Sequence, residues 1–217
     1  MFQKLLKTRK GQRGITGLET AIILIAFVVV AAVFAYTALS AGLFSTQKGQ
    51  EAVYSGLKEA QSTLELRGNV IATAGTEGAE DTGTVKLVSF IVSNVLGGEA
   101  IDFTTPTANG TTGIAAGGTS STNKVVINYV DQNQTVNDLY WTVTKLGNTD
   151  DDYLLENNER FKITIGNDST GGTLLNALDP DLTSNQQFSL IVQTPIGAVL
   201  EIERTTPAWI DAIMNLH

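Results

Sequence analysis

The sequence predicts an α+β protein: a long N-terminal hydrophobic α-helix followed by an Ig-like antiparallel β-sandwich. Three observations carry that expectation. No charged residue occurs between Glu19 and Lys48, while the stretch Ala21–Phe44 is apolar almost throughout. The apolar pattern then narrows to a one-sided stripe before the chain turns polar at Arg67-Gly68. The remainder holds six short runs rich in Val, Ile, Thr and aromatics, separated by Gly, Asn, Asp and Thr clusters, the mark of strands and turns.

Three parts follow in order. Residues 1–14 form a basic leader with Lys4, Lys7, Arg9, Lys10 and Arg13 and no acidic residue. Residues 15–68 form the helix, predicted to run from about Ile15 to Arg67 and so to measure about 80 Å at 1.5 Å per residue. Its apolar stretch is long enough for a bilayer, which takes about 20 such residues, and it is apolar on every face, so packing on one side does not explain it. Val53, Leu57, Ala60 and Leu64 continue it as a stripe at spacings of four, three and four. Arg67 and Gly68 supply a cation and a glycine where a helix stops.

Residues 69–217 are the expected sandwich. The runs TVKLVSFIV, NKVVINYV, DLYWTVTKL, ERFKITIG, QFSLIVQT and AVLEIERT alternate or run apolar, and Pro195-Ile196-Gly197 reads as the turn of a hairpin joining the last two strands. The glycine-rich segment TANGTTGIAAGGTSSTN lacks the lysine and following helix of a phosphate loop and is expected to be a flexible surface loop.

Composition excludes whole classes of chemistry. There is no cysteine, and the one histidine is His217, which removes thiolate sites and the usual general base from the interior. No cofactor motif is present, neither a dinucleotide glycine pattern nor a P-loop nor a nucleophile elbow. The net charge is −8; of 14 basic residues five lie in the leader, so nine face 22 acidic residues in the rest, a balance of −13. Such a body does not bind nucleic acid, which needs clustered Lys and Arg.

RGITGLETAIILIAFVVVAAVFAY, followed by LFSTQKGQEAVYSGLKEA, resembles the archaeal flagellins, or archaellins, whose N-terminus is similar to that of type IV pilins. The likeness covers about residues 9–69. It implies cleavage by a membrane prepilin peptidase after Gly14, leaving Ile15 as the mature N-terminus and Gly17 as the third mature residue. One departure is Gln12, where such leaders usually carry a second basic residue beside Arg13. The resemblance implies a structural subunit, not an enzyme, that spans the membrane as a precursor and then polymerises into an extracellular filament for swimming. Its partners would be identical copies and sister archaellins. An adhesive type IV pilin would use the same leader and helix, and a membrane-anchored binding or hydrolytic ectodomain would keep its N-terminus uncleaved.

Glu19 would be the fifth mature residue. A carboxylate in apolar surroundings is costly unless paired, and cleavage creates one suitable cation, the α-amino group of Ile15. Ala31, Ala35, Ala38, Ala41 and Gly42 include spacings of four that let helices approach closely.

Two further sets of residues stand out. Asn109, Asn133 and Asn167 each begin an Asn-X-Ser/Thr sequon in or beside a polar loop, which an exported domain offers for N-glycosylation. Asn148, Asp150, Asp152 and Glu159 fall at the first, third, fifth and twelfth positions of an EF-hand-like loop, the first place to look for Ca2+ or another divalent cation. Tyr153 stands where that loop needs glycine, so a solvated acidic turn is the favoured reading.

Overall fold

The computed structural model describes residues 12–61, 63–79, 82–95, 99–117, 120–147 and 149–216. Most of the basic leader lies outside them. The chain divides into two compact units, Met1–Tyr54 and Ser55–His217, with the division inside the first helix. Each unit is described by itself.

Helix α1 spans Gln12–Gln61, 50 residues without interruption. Its length agrees with the expected helix, but it is displaced toward the N-terminus. Leu64, assigned to the helical stripe, belongs instead to strand β1, Leu64–Leu66. The reason is the alternation in Leu-Glu-Leu. Paired in register against Asn94, Ser93 and Val92, it buries Leu64 and points Glu65 outward. Arg67-Gly68 is therefore not a helix stop. Gly68, at φ +83°, makes the bend between β1 and β2, Val70–Thr76, which follow one another in the same direction along β3.

The remaining elements are β3 (Thr84–Asn94), β4 (Ile101–Asp102), β5 (Val126–Asp131), β6 (Thr135–Val136), β7 (Trp141–Leu146), β8 (Leu154–Leu155), β9 (Arg160–Ile165), a short α2 (Leu174–Ala177), β10 (Gln187–Gln193), β11 (Leu200–Thr205) and β12 (Ile213–Leu216). All six strand runs read from the sequence are strands. One sheet has the order β12-β2-β3-β9-β7, with β1 beside β2 on the same edge of β3; a second has the order β11-β10-β5-β6; β4 and β8 form a small third pair. Every strand pairing is antiparallel. The β10–β11 hairpin turns at Pro195–Gly197 as expected. It does not end the fold, because β12 follows and pairs with β2.

The two large sheets enclose one core. Phe161, Ile163 and Ile165 of β9 and Phe188, Leu190 and Val192 of β10 each sit two apart, the period that sends alternate side chains to one face. In β3 the inward residues Val85 and Val88 are three apart. The register against β2 moves from Thr73–Leu87 to Ala74–Val85, so one extra β3 residue is accommodated there and the inward face is kept. Phe103 packs edge-on against both Trp141 (5.9 Å between centroids) and Phe161 (6.0 Å), and Tyr129 stacks on Phe188 at 5.8 Å.

The segment TANGTTGIAAGGTSSTN is not a flexible surface loop over its described part. Ala108 bridges Ala115 and Ile114 bridges Leu139, while Gly113 N–H donates to Gly171 O at 2.7 Å and Gly113 O accepts from Tyr140 N–H at 2.9 Å. Gly113 has φ +72° and lies so close to Thr173 and Ala177 that a Cβ would collide with them. Gly113 serves close backbone approach rather than mobility, whereas Gly110 and Gly117 face open space.

The role of β1 has a measurable consequence. A β-rich fragment beginning at Thr63 should unfold at a higher urea midpoint than one beginning at Asn69. Burying one leucine contributes about 1.5–3 kcal/mol, and Leu64 is lost with the shorter fragment. Equal midpoints would show that β1 adds nothing to the sheet.

Candidate functional site

The largest chemically unusual surface is that of α1 itself. From Leu18 to Phe44 its large apolar side chains, among them Ile22, Ile25, Phe27, Phe34, Tyr36 and Leu43, are all exposed, on every face of the helix. α1 is long and apolar enough to cross a membrane. Gly14 and Ile15 lie in its first turn, followed by Gly17, whose Cα faces open space. Glu19 is exposed one turn further on and takes part in no ion pair among the described residues. At the other end, in the Ser55–His217 unit, the Lys58 ammonium pairs with the Glu99 carboxylate at 3.0 Å. That pair links residues 41 positions apart and leaves no signal in the sequence.

The three sequons occupy different environments. Asn109 and Asn133 are exposed at turns, whereas Asn167 is half-buried. Asn167 Oδ1 accepts the N–H groups of Ser169 (2.7 Å) and Thr170 (3.2 Å), so its side chain already holds its own turn.

The acidic segment 150–159 uses its carboxylates internally. Glu159 is buried, and its two oxygens accept the backbone N–H groups of Asp150 (3.2 Å) and Glu156 (3.0 Å). Asp150 Oδ1 accepts from Asp152 N–H at 3.1 Å, and Asp152 Oδ1 from Leu154 N–H at 2.8 Å. Among the described residues no group of three or more metal-ligating side chains gathers, and Asn148 lies outside them. The EF-hand spacing here sits on a strand-to-strand loop, whose backbone donors take the oxygens that a calcium loop turns inward.

One organising side chain was not legible as such. In DQNQT, Asp131 Oδ1 accepts Asn133 N–H (2.6 Å) and Gln134 N–H (2.7 Å), while Oδ2 accepts the Tyr129 hydroxyl at 2.9 Å. Gln134 extends the network to the loop before β10, donating to Pro180 O at 2.6 Å and accepting Asp179 N–H at 3.0 Å. Asp131 thus sets the turn that presents Asn133. Partial burial pushes its carboxyl up, but the N–H donors of Asn133 and Gln134 and the Tyr129 hydroxyl outweigh burial and hold it below the ordinary carboxylate value. A carboxyl depressed in the folded state contributes stability that is present above its unfolded value, about 3.9, and lost as pH falls through the folded one. The stability gap between the wild-type β-rich unit and Asp131→Asn should therefore narrow below about pH 4. Thermal melts from pH 7 to pH 2 measure it, and a constant gap would refute the assignment.

Known proteins share this arrangement. The family model for archaeal-type flagellin matches residues 14–204. The chain is 36% identical over 212 residues to "Probable flagellin 1" of Archaeoglobus fulgidus, covering 95% of this chain and 96% of that protein. It is 37% identical over 206 residues to "Probable flagellin 2" of the same organism, with 93% of each covered. Among solved structures it is similar to the archaeal flagellum of Methanospirillum hungatei strain JF1, with a TM-score of 0.57, 28% identity, and 92% of this chain and 98% of that chain covered. With the family match spanning most of its length, from Gly14 in the first turn of α1 into β11, the chain belongs to the archaeal-type flagellins.

Proposed function

We propose that the chain is the structural subunit of an archaeal flagellar filament, polymerising through α1 and performing no catalytic chemistry. The observation that carries this is the all-round exposed apolar surface of α1, which none of the described residues of its own compact unit covers. A helix apolar on every face is stable in lipid or among other helices, not in water. Lipid fits the precursor, with the basic leader holding the N-terminus on the cytoplasmic side. A bundle of identical helices fits the filament, where small residues such as Ala31, Ala35, Ala38 and Gly42 permit close approach. The likeness to a chain that forms a flagellum supports the second state.

A prepilin peptidase would convert one state to the other by cutting after Gly14. Removing the basic leader releases the helix from its cytoplasmic anchor and creates an α-amino group on Ile15. Glu19, exposed in α1, is then placed to pair with that amine on its own or a neighbouring subunit as both enter an apolar core. The β-rich unit would face the exterior, where Asn109 and Asn133 offer free amides for glycans and Asn167 offers one engaged in its turn.

Deleting this chain's coding sequence should abolish both filaments in electron micrographs and swimming in soft agar. Loss of surface adhesion with swimming intact would assign an adhesive pilin instead.

Two experiments probe the processing and assembly steps. N-terminal sequencing of native filaments should read from Ile15; recovery of peptides from residues 1–10 would refute cleavage at Gly14. Glu19→Gln should be cleaved normally yet assemble poorly. Leaving a buried charge without its partner costs about 3–5 kcal/mol, which raises the critical concentration for subunit addition by at least about 100-fold. A wild-type yield of sheared filaments from that mutant would show that the pair is dispensable.

A further inference from the structure

The outward surface of the β-rich unit has few apolar features, and one differs from the others in its placement. Trp209 (55% exposed) and Ile213 (71%) lie at the Gly78 end, where Ile210 bridges Gly78 and Ile213 pairs with Thr73. The β10–β11 hairpin tip, with Ile196 (43%) and Val199 (54%), lies at the opposite end. Val85 N–H donates to Leu182 O at 2.9 Å, so the loop feeding β10 sits at the Thr84 end of β3. β10 runs from there, and its tip shares a small cleft with Glu99, Ile101 and Asp102. Glu99 in turn is held from both sides: its carbonyl accepts Asn94 Nδ2 at 2.6 Å, and its carboxylate pairs with Lys58 at 3.0 Å. The tip therefore stands where the last turns of α1 enter the β-rich unit.

Its chemistry does not suit a solvated turn. Thr194–Leu200 carries no charged residue, in a chain of net charge −8 whose charges resume at once with Glu201 and Glu203. Hairpin tips facing water favour Asn, Asp and Gly; here one glycine is flanked by Pro195, Ile196, Ala198 and Val199. The surface that matches it is equally uncharged. Between Glu19 and Lys48 α1 is apolar on all faces, and bundling identical helices covers only the faces turned toward each other. The outward faces still need an apolar cover.

We infer that the β10–β11 tip of one copy, through Ile196 and Val199, packs onto the outward apolar face of α1 in a neighbouring copy. This rests on the filament reading. It makes the tip a second contact between subunits, one that closes the helical core from outside.

The absence of cysteine allows a direct test. Ile196→Cys filaments, first verified by electron microscopy, are labelled with a maleimide-benzophenone and irradiated. A covalent dimer whose cross-linked peptide falls in residues 17–54 is expected, while Trp209→Cys treated the same way should give no such peptide. Filaments that yield only intrachain products, or dimers linked through β-strands, would overturn the inference while leaving the filament reading intact. Absence of filaments from the unsubstituted chain would instead sink the filament reading and this inference with it. Independently, Ile196→Asp with Val199→Asp should shift filament disassembly to lower temperature without changing the melt of the isolated β-rich unit. An unchanged disassembly midpoint would refute the contact.

Discussion

Every other feature of this chain is arranged around one unmet requirement, the apolar surface of α1 between Glu19 and Lys48. Exposing that surface to water is unfavourable by about 25 cal/mol per Å2, and none of the described residues of its own compact unit reduces the exposure. The proposed function meets this requirement twice, by a bilayer around the precursor and by an assembly of copies in the filament. Moving from lipid to protein gains little from hydrophobicity itself, because lipid tails are as apolar as leucine. Under the proposed cleavage, close packing at small residues and the new amine at Ile15 are the terms that change between the two states.

The same requirement explains why the β-rich unit is self-sufficient. Its two sheets bury Trp141, Phe103, Phe161, Tyr129 and Phe188 among themselves. β1 and the Lys58–Glu99 pair are the covalent and ionic points at which the helical segment joins that unit. The ion pair is half-exposed on both sides, so its value is geometric more than energetic.

Functional polar groups sit on the loops, while the strands are given over to packing. Asp131 and Glu159 look alike in the sequence, both acidic residues in Asn-rich turns. In the fold each holds a loop by accepting backbone N–H groups of that loop. Carboxylates engaged in this way hold loop shape and have few oxygens left for a cation. Asn109 and Asn133 differ in that their side chains stay exposed.

What the sequence determined by itself was everything written in local periodicity. An uncharged apolar run of membrane length, a glycine after a basic leader and strands of period two need only neighbours along the chain to be recognised. The helix, the six main strands and the Pro195–Gly197 turn follow from that. The end of α1 does not, because Leu64 fits a helical stripe and a strand equally well, and only the open edge of β3 near Asn94 selects the strand. Nor does the folded state of the glycine-rich segment, whose shape is imposed by Tyr140, Gly171 and Thr173 from distant parts of the chain. β12, the Asp131 network and the Lys58–Glu99 pair were likewise decided by tertiary structure, since pairing at long sequence separation leaves no periodic trace in the sequence.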